Sequence, residues 1–210
     1  MERVKELKDF FFEIIKYLCD KYNFDYFLSC PTYERYKDWL HRSDDLPDNI
    51  YFANGLSKMV IIVDYGYGLK WVVKIPFSEM QEDYCALEEK YYKEAVAHCV
   101  QEAFAETFCI GDYILEDSKC KIYLMVRADT DEEEIMSCSS SYDSDSSTIS
   151  YYDSCINEEV VNCLCNFFSC EFIDRVIGFC EEFLINDIHD SNVGFCNGRP
   201  LIIDYSGYGG

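Results

Sequence analysis

Apolar side chains recur at helical spacing over residues 2–22, where Val4, Leu7, Phe11, Ile14, Ile15 and Leu18 share one face and Lys and Glu occupy the other. The pattern predicts an amphipathic helix. Pro31 ends the segment that follows, a second short helix is expected over 32–41, and 43–49 with Pro47 reads as a loop. A β-branched run at 58–64, a Gly66-Tyr67-Gly68 turn and an apolar run at 69–76 predict an antiparallel hairpin. Residues 79–106, rich in Glu, Ala, Lys and Tyr and lacking Pro and Gly, predict one long helix. Two further strands, 110–115 and 121–127, complete a small sheet with that helix packed on it. Helical periodicity returns over 157–184 through Val160, Val161, Leu164, Phe167, Phe168, Phe172, Val176, Phe179 and Phe183, which predicts a buried helix of a second, helical lobe. A polar loop over 186–192 and two short apolar runs around the Asn197-Gly198 turn follow. The expected fold class is α+β.

Composition narrows the possibilities. The 210 residues carry 18 Lys and Arg against 40 Asp and Glu, a formal charge of −22, with 49% apolar and 17% aromatic residues. That apolar share supports a core and excludes wholesale disorder. The length suits one domain or two small lobes sharing a cleft. So acidic a chain is not expected to bind nucleic acid or an anionic membrane directly, because phosphate contacts need clustered Lys and Arg. Basic proteins, or ligands whose charge is offset by metal ions, are the expected partners. The 13 cysteines form no C-x-x-C pair, and the spacing of Cys163, Cys165 and Cys170 on a helical stretch does not converge on one zinc. Met1-Glu2-Arg3 opens a charged amphipathic segment rather than a signal peptide, and no apolar run approaches the ~20 residues a bilayer needs. These features lead to the expectation of a reduced, soluble, cytoplasmic protein.

Between 129 and 154 the chain turns to Ser, Asp and Tyr, with Asp131-Glu132-Glu133-Glu134 leading into runs such as Ser139-Ser140-Ser141. Without apolar periodicity it reads as a flexible insert, either a solubilising linker or a segment offering phosphoacceptor hydroxyls. The expected organisation is an N-terminal helical segment (1–49), a small lobe (50–128), the acidic Ser-rich insert (129–155) and a reduced second lobe (156–210).

The candidate chemistry lies near the end of the chain. Asp187 and Asn192 stand five residues apart in the polar loop, and a hairpin follows whose second strand leads into Asp204. A carboxylate there can take the proton of an attacking hydroxyl, while an amide oxygen and a second carboxylate hold Mg²⁺ against phosphate oxygens.

With these residues the chain resembles the protein kinase-like superfamily, which includes the aminoglycoside phosphotransferases and compact members from bacteria and their phages. Asp187-Ile188-His189-Asp190-Ser191-Asn192 matches the D-x-H-x-x-N form of the catalytic loop, and Asp204-Tyr205-Ser206 sits where the metal-binding D-F-G triplet falls. Trp71-Val72-Val73-Lys74-Ile75-Pro76-Phe77 is similar to the family's third strand. The resemblance covers 52–208 with a gap at the insert, and it implies a two-lobed ATP- and Mg²⁺-dependent phosphotransferase. Lys74 would contact the α- and β-phosphates, with Glu88 or its neighbour Glu89 as its partner. Asn54-Gly55-Leu56-Ser57-Lys58 would be a shortened phosphate-covering loop, including Gly55 and Ser57. The stretch 123–128, with Met125, would meet adenine. Asp187 would be the catalytic base, Asn192 and Asp204 the metal ligands, and His189 a loop-orienting residue.

The chain also departs from the family. The covering loop lacks G-x-G-x-x-G, Ile185-Asn186 replaces the usual His-Arg, and only Tyr205-Ser206-Gly207-Tyr208-Gly209-Gly210 follow Asp204, so no activation segment or conventional peptide groove is expected. The alternatives are therefore a pseudokinase that binds nucleotide without transferring phosphate, or an acidic interaction protein that imitates nucleic acid before a basic partner. The phosphoacceptor is not specified by any residue pattern.

Overall fold

An amphipathic helix this apolar on one face must bury it, and α1 (Glu2–Tyr22) does so through Phe11, Ile14, Ile15 and Leu18. The computed structural model describes residues 2–64, 71–80, 83–116, 118–130, 155–186 and 188–206. The chain divides into two units, Met1–Ala86 with Thr107–Val126, and Leu87–Glu106 with Arg127–Gly210. The fold is α+β, with a five-stranded antiparallel sheet in the first unit.

In the first unit α1 ends where Asn23 takes a left-handed backbone (φ 53°), a conformation Asn tolerates better than most residues. Helices α2 (Asp25–Leu28) and α3 (Tyr33–Arg42) follow. Thr32 starts α3 because its hydroxyl accepts the Arg35 N–H at 3.2 Å, satisfying one of the helix's orphan donors. The sheet runs in the order β1 (Ile50–Asn54), β2 (Lys58–Val63), β3 (Trp71–Pro76), β5 (Lys119–Val126), β4 (Thr107–Ile114). One sheet face, carrying Met59, Ile61, Val63, Val73, Ile75, Ile122 and Leu124, forms a single core with the three helices. Aromatic edges close that core: Phe24 meets Trp39 at 4.7 Å and Trp39 meets Phe52 at 5.0 Å between ring centroids. A bulge between Cys109 and Gly111, with Gly111 at φ 114°, re-aims β4 where a side chain would also meet Lys8.

The 58–64 and 69–76 runs pair antiparallel as expected, with Val60 opposite Lys74; the Gly66-Tyr67-Gly68 turn lies outside the described residues. β1 was not expected. Its burial alternates poorly, with Tyr51 exposed, as befits an edge strand that packs on one side only.

The helix predicted over 79–106 is shorter, α4 (Tyr84–Ala97). Asp83 starts it by accepting the Ala86 N–H at 3.0 Å, and Cys99 in a left-handed conformation (φ 57°) ends it without any Gly or Pro. A separate 3₁₀ turn, Gln101–Ala103, follows.

In the second unit the helix predicted over 157–184 is two, α5 (Glu158–Cys165) and α6 (Cys170–Glu182). The break arises because Ser169 adopts extended backbone and its hydroxyl accepts the Phe172 N–H at 3.3 Å, nucleating a new helix. The apolar faces of both helices are still buried, through Val160, Val161, Leu164, Ile173, Val176 and Phe179. The expected hairpin is present as β6 (Val193–Cys196) and β7 (Arg199–Ile202), with Asn197 and Gly198 both at positive φ in the turn, the backbone that matches strand twist. The acidic insert expected over 129–155 lies outside the described residues from 131 to 154. Among the described residues, no helix is long and apolar enough to cross a membrane.

Candidate functional site

Antiparallel register places directly opposed residues on one face. Lys74 stands opposite Val60 on β2 and Tyr123 on β5, and Met125 stands opposite Val72 and Thr107. These positions, with Lys58 opposite Pro76, occupy the sheet face that the N-terminal helices do not cover. Lys58 and Lys74 are diagonal neighbours on adjacent strands, a spacing of about 7–8 Å. Both are buried, at 4% and 5% exposure. Taking an ammonium out of water costs several kcal/mol unless negative charge compensates it. This face carries both lysines and is the candidate anion-binding surface.

Met125 is buried beside them, and the Tyr123 hydroxyl donates to Asp83 Oδ2 at 2.7 Å. Burial first, then the hydrogen bond to Asp83 and the charge of that carboxylate, hold the Tyr123 phenol well above the ordinary tyrosine range. Because Asp83 also starts α4, this bond fixes the entry of the helix that carries Glu88. Helical phase separates the two candidate glutamates: Glu88 is fully buried, whereas Glu89 pairs with Lys93 at 2.8 Å one turn on.

Gly55 and Ser57 lie in the turn joining β1 to β2, where the Gly55 N–H donates to the Lys58 carbonyl at 3.0 Å. Ser57 is buried and its carbonyl accepts the Phe77 N–H at 2.8 Å. A side chain at Gly55 would meet open space, so the turn does not need glycine for room. The turn borders a cavity of about 470 Å³ lined by Tyr33, Asn54, Gly55, Leu56 and Glu79, in which Glu79 is the one charged lining residue among the described residues.

In the second unit the hairpin brings Asn192 and Asp204 to its open end. Val193 pairs with Ile202, and the Ile203 N–H donates to the Asn192 carbonyl at 2.8 Å, which leaves Asp204 one residue beyond. Asn192 closes the 3₁₀ turn Asp190–Asn192 through its N–H to the His189 carbonyl at 2.9 Å. His189 Nδ1 lies 3.4 Å from Asp190 Oδ1 at the surface. The Asp204 carboxylate accepts the Ser206 hydroxyl at 3.2 Å.

Two anchors hold this end of the hairpin. Tyr205 is buried, packs edge-on to Phe104 with centroids at 5.2 Å, and donates to the Ala105 carbonyl at 2.7 Å. On the other strand Phe195 and Asp129 exchange hydrogen bonds at 2.8 and 2.9 Å. Gly194 permits that approach: a Cβ there would sit 2.9 Å from Ala128 Cβ and 3.1 Å from the Asp129 carbonyl oxygen.

Amide and carboxylate oxygens are hard donors of the kind magnesium takes. Among the described residues no group of three or more His, Cys, Asp or Glu could hold a metal ion. Asn192 and Asp204 carry donors of that type, and magnesium is commonly bound by one or two carboxylates together with substrate phosphates. Asp187 lies outside the described residues, between Asn186 and the Ile188 that bridges Ile156.

The sequence places Lys58 and Tyr205 only as members of the covering loop and of the Asp204-Tyr205-Ser206 triplet, and does not single out Asp83. Lys58 was legible in principle, since it shares the two-residue phase of Val60 and Ile62 opposite the core-facing Met59 and Ile61. Asp83 was hidden by extending α4 to residue 79. Comparison with family models, with curated proteins and with solved structures finds no match to this chain.

Proposed function

We propose that this chain is a minimal ATP- and Mg²⁺-dependent phosphotransferase of the protein kinase-like type, with a small lobe over 50–128 and a reduced helical lobe over 156–210. The observation that carries the reading is the burial of Lys74 on a central strand beside Lys58, on a sheet face free of the N-terminal helices. Lysine ammonium groups hold phosphate oxygens through charge-assisted hydrogen bonds, among the stronger polar contacts a protein makes. In this reading Lys74 draws the α- and β-phosphates into line, and the kinase-like resemblance assigns it Glu88 as acidic partner. Met125 offers an apolar contact for adenine, while Gly55 and Ser57 cover the phosphates.

Asn192 and Asp204 supply oxygen ligands from the open end of the hairpin, where Asn192 meets Ile203 and Asp204 follows it. Magnesium held there would neutralise the charge that develops on the transferring phosphoryl group. Asp187 accepts the proton of the acceptor hydroxyl as its oxygen bonds to the γ-phosphorus and ADP departs; this assignment rests on the Asp187-to-Asn192 spacing. The acceptor is a Ser, Thr or Tyr hydroxyl, and the chain's own 131–154 tract is rich in them.

The test is transfer from γ-labelled ATP. Asp187→Ala abolishes labelling of the chain or of an added acceptor while the circular dichroism stays that of the wild type. Transfer that persists in that variant removes Asp187 from the mechanism.

The charge of −22 favours a second reading, in which the chain docks on a basic protein and turns over slowly or not at all. Salt-sensitive capture of a basic partner by the Asp187→Ala, Asp204→Ala double variant supports docking, and loss of capture in that variant ties partner and nucleotide to the same groups.

A further inference from the structure

Cys155 is half-buried and stands immediately before Ile156, whose bridge to Ile188 flanks the polar loop. Its sulfur lies 3.9 Å from the Ile177 carbonyl on α6. Cys180 is fully buried one turn further along that helix, on the same side as Ile177. A helical side chain leans over the turn before it, so the Cys180 thiol lies over the Ile177 turn against which the Cys155 sulfur rests. Two thiols from segments far apart in sequence therefore meet within the second unit, one of them reachable from solvent.

We infer that Cys155 and Cys180 form a peroxide-responsive dithiol, with Cys155 as the sulfur that attacks peroxide and Cys180 as the resolving thiol. Their environments divide the roles. The hydrogen bond from Cys180 lowers the Cys155 thiol, outweighing burial and the nearby Glu181 carboxylate, whereas Cys180 is raised by that same bond and by burial. Elsewhere burial makes thiols inert, pushing Cys19 up to about 11 and Cys120 up to about 12.

In the first step the Cys155 thiolate attacks one oxygen of hydrogen peroxide. The O–O bond breaks, hydroxide leaves and takes a proton, and Cys155 becomes a sulfenic acid, oxidised by two electrons. The Cys180 sulfur then attacks the Cys155 sulfur; the S–S bond forms, the S–O bond breaks, and the departing oxygen leaves as water with the Cys180 proton. Two thiols and one peroxide give one disulfide and two waters.

The bond has a structural consequence. Ile188 N–H donates to the Cys155 carbonyl at 3.3 Å and Asn157 N–H donates to the Ile188 carbonyl at 2.8 Å. A disulfide fastens that crossing to α6, and so stiffens residues beside Asp187. The chemistry itself does not depend on the phosphotransfer reading, since it is detected by mass alone.

The experiment treats the full-length protein with a small excess of hydrogen peroxide, then alkylates, digests and maps it by mass spectrometry. The expected result is a Cys155–Cys180 peptide pair lighter by two hydrogens, with slower amide exchange at Asn157 and Ile188. In Cys180→Ala, a sulfenic-acid trap such as dimedone accumulates on Cys155. In Cys155→Ser, which changes a half-buried position and answers alone if the first variant does not fold, Cys180 stays fully alkylatable after denaturation. The inference is overturned if wild-type Cys155 and Cys180 both remain alkylatable while the exposed Cys30 oxidises, or if Cys155 pairs with a different cysteine.

Discussion

Removing one oxygen from Tyr123 tests how the candidate anion-binding face is held. The phenol is 1% exposed and donates to Asp83 Oδ2 at 2.7 Å, so Tyr123→Phe deletes a buried hydrogen bond to a carboxylate. Such bonds contribute about 1.5–3 kcal/mol. The lower end applies here. Asp83 keeps the Ala86 N–H at 3.0 Å and Lys121 at 3.8 Å, and with 29% of its side chain exposed its orphaned oxygen can reach water. The expected loss is therefore about 1.5 kcal/mol, read in urea as a lower midpoint at unchanged slope. Asp83→Ala loses more, because the helix start at Ala86 goes with it, by about 1 kcal/mol. Alkaline pH gives an independent sign. The folded phenol titrates above its unfolded value, so the native state holds the proton longer than the unfolded chain does. The stabilisation is fully present below about pH 10 and drains away as pH rises beyond it. The gap between wild type and Tyr123→Phe must narrow over that range. A loss under about 0.5 kcal/mol, or a gap that stays constant through the alkaline range, refutes this account of the bond.

The second unit carries two further expectations. Gly194→Ala forces a Cβ against Ala128 and the Asp129 carbonyl, so it is expected to cost about 1–3 kcal/mol and to speed amide exchange at Asp129 and Phe195; wild-type exchange there contradicts the close approach. Tyr205→Phe removes the bond to the Ala105 carbonyl and is expected to cost about 1 kcal/mol in a chemical melt, with faster exchange at Ile203, whose N–H the same strand end presents to Asn192.

The sheet hairpin, α1 and the β6–β7 hairpin were legible because each is set by a local signal: two-residue alternation, a helical stripe, and an Asn-Gly turn. The breaks inside 79–106 and 157–184 were not, because both were made by residues that end or start helices through backbone geometry. Cys99 takes positive φ though it is not Gly, and Ser169 turns its hydroxyl back to Phe172 within a run that periodicity alone reads as continuous. β1 escaped notice for a related reason: as an edge strand it has one packed side, and Ile-Tyr-Phe-Ala-Asn shows no clean alternation. Lys74 was found by its place in an apolar strand, yet its burial depends on neighbours supplied by three strands, which no local window contains. That Glu88 is buried while Glu89 faces Lys93 likewise depends on the true start of α4, and hence on Asp83.

The proposed binding of magnesium-loaded nucleotide is tested most directly by thermal stabilisation with ATP and Mg²⁺. At ligand a hundredfold above its dissociation constant, binding adds about 2.7 kcal/mol, a rise of about 5–10 °C for a chain of this size. The account predicts that rise in the wild type, its reduction when a chelator removes the metal, and its loss in Lys74→Ala and in Asp204→Ala variants that keep the wild-type circular dichroism. An unmoved melting temperature at millimolar ATP and Mg²⁺, or an undiminished rise in both variants, contradicts it.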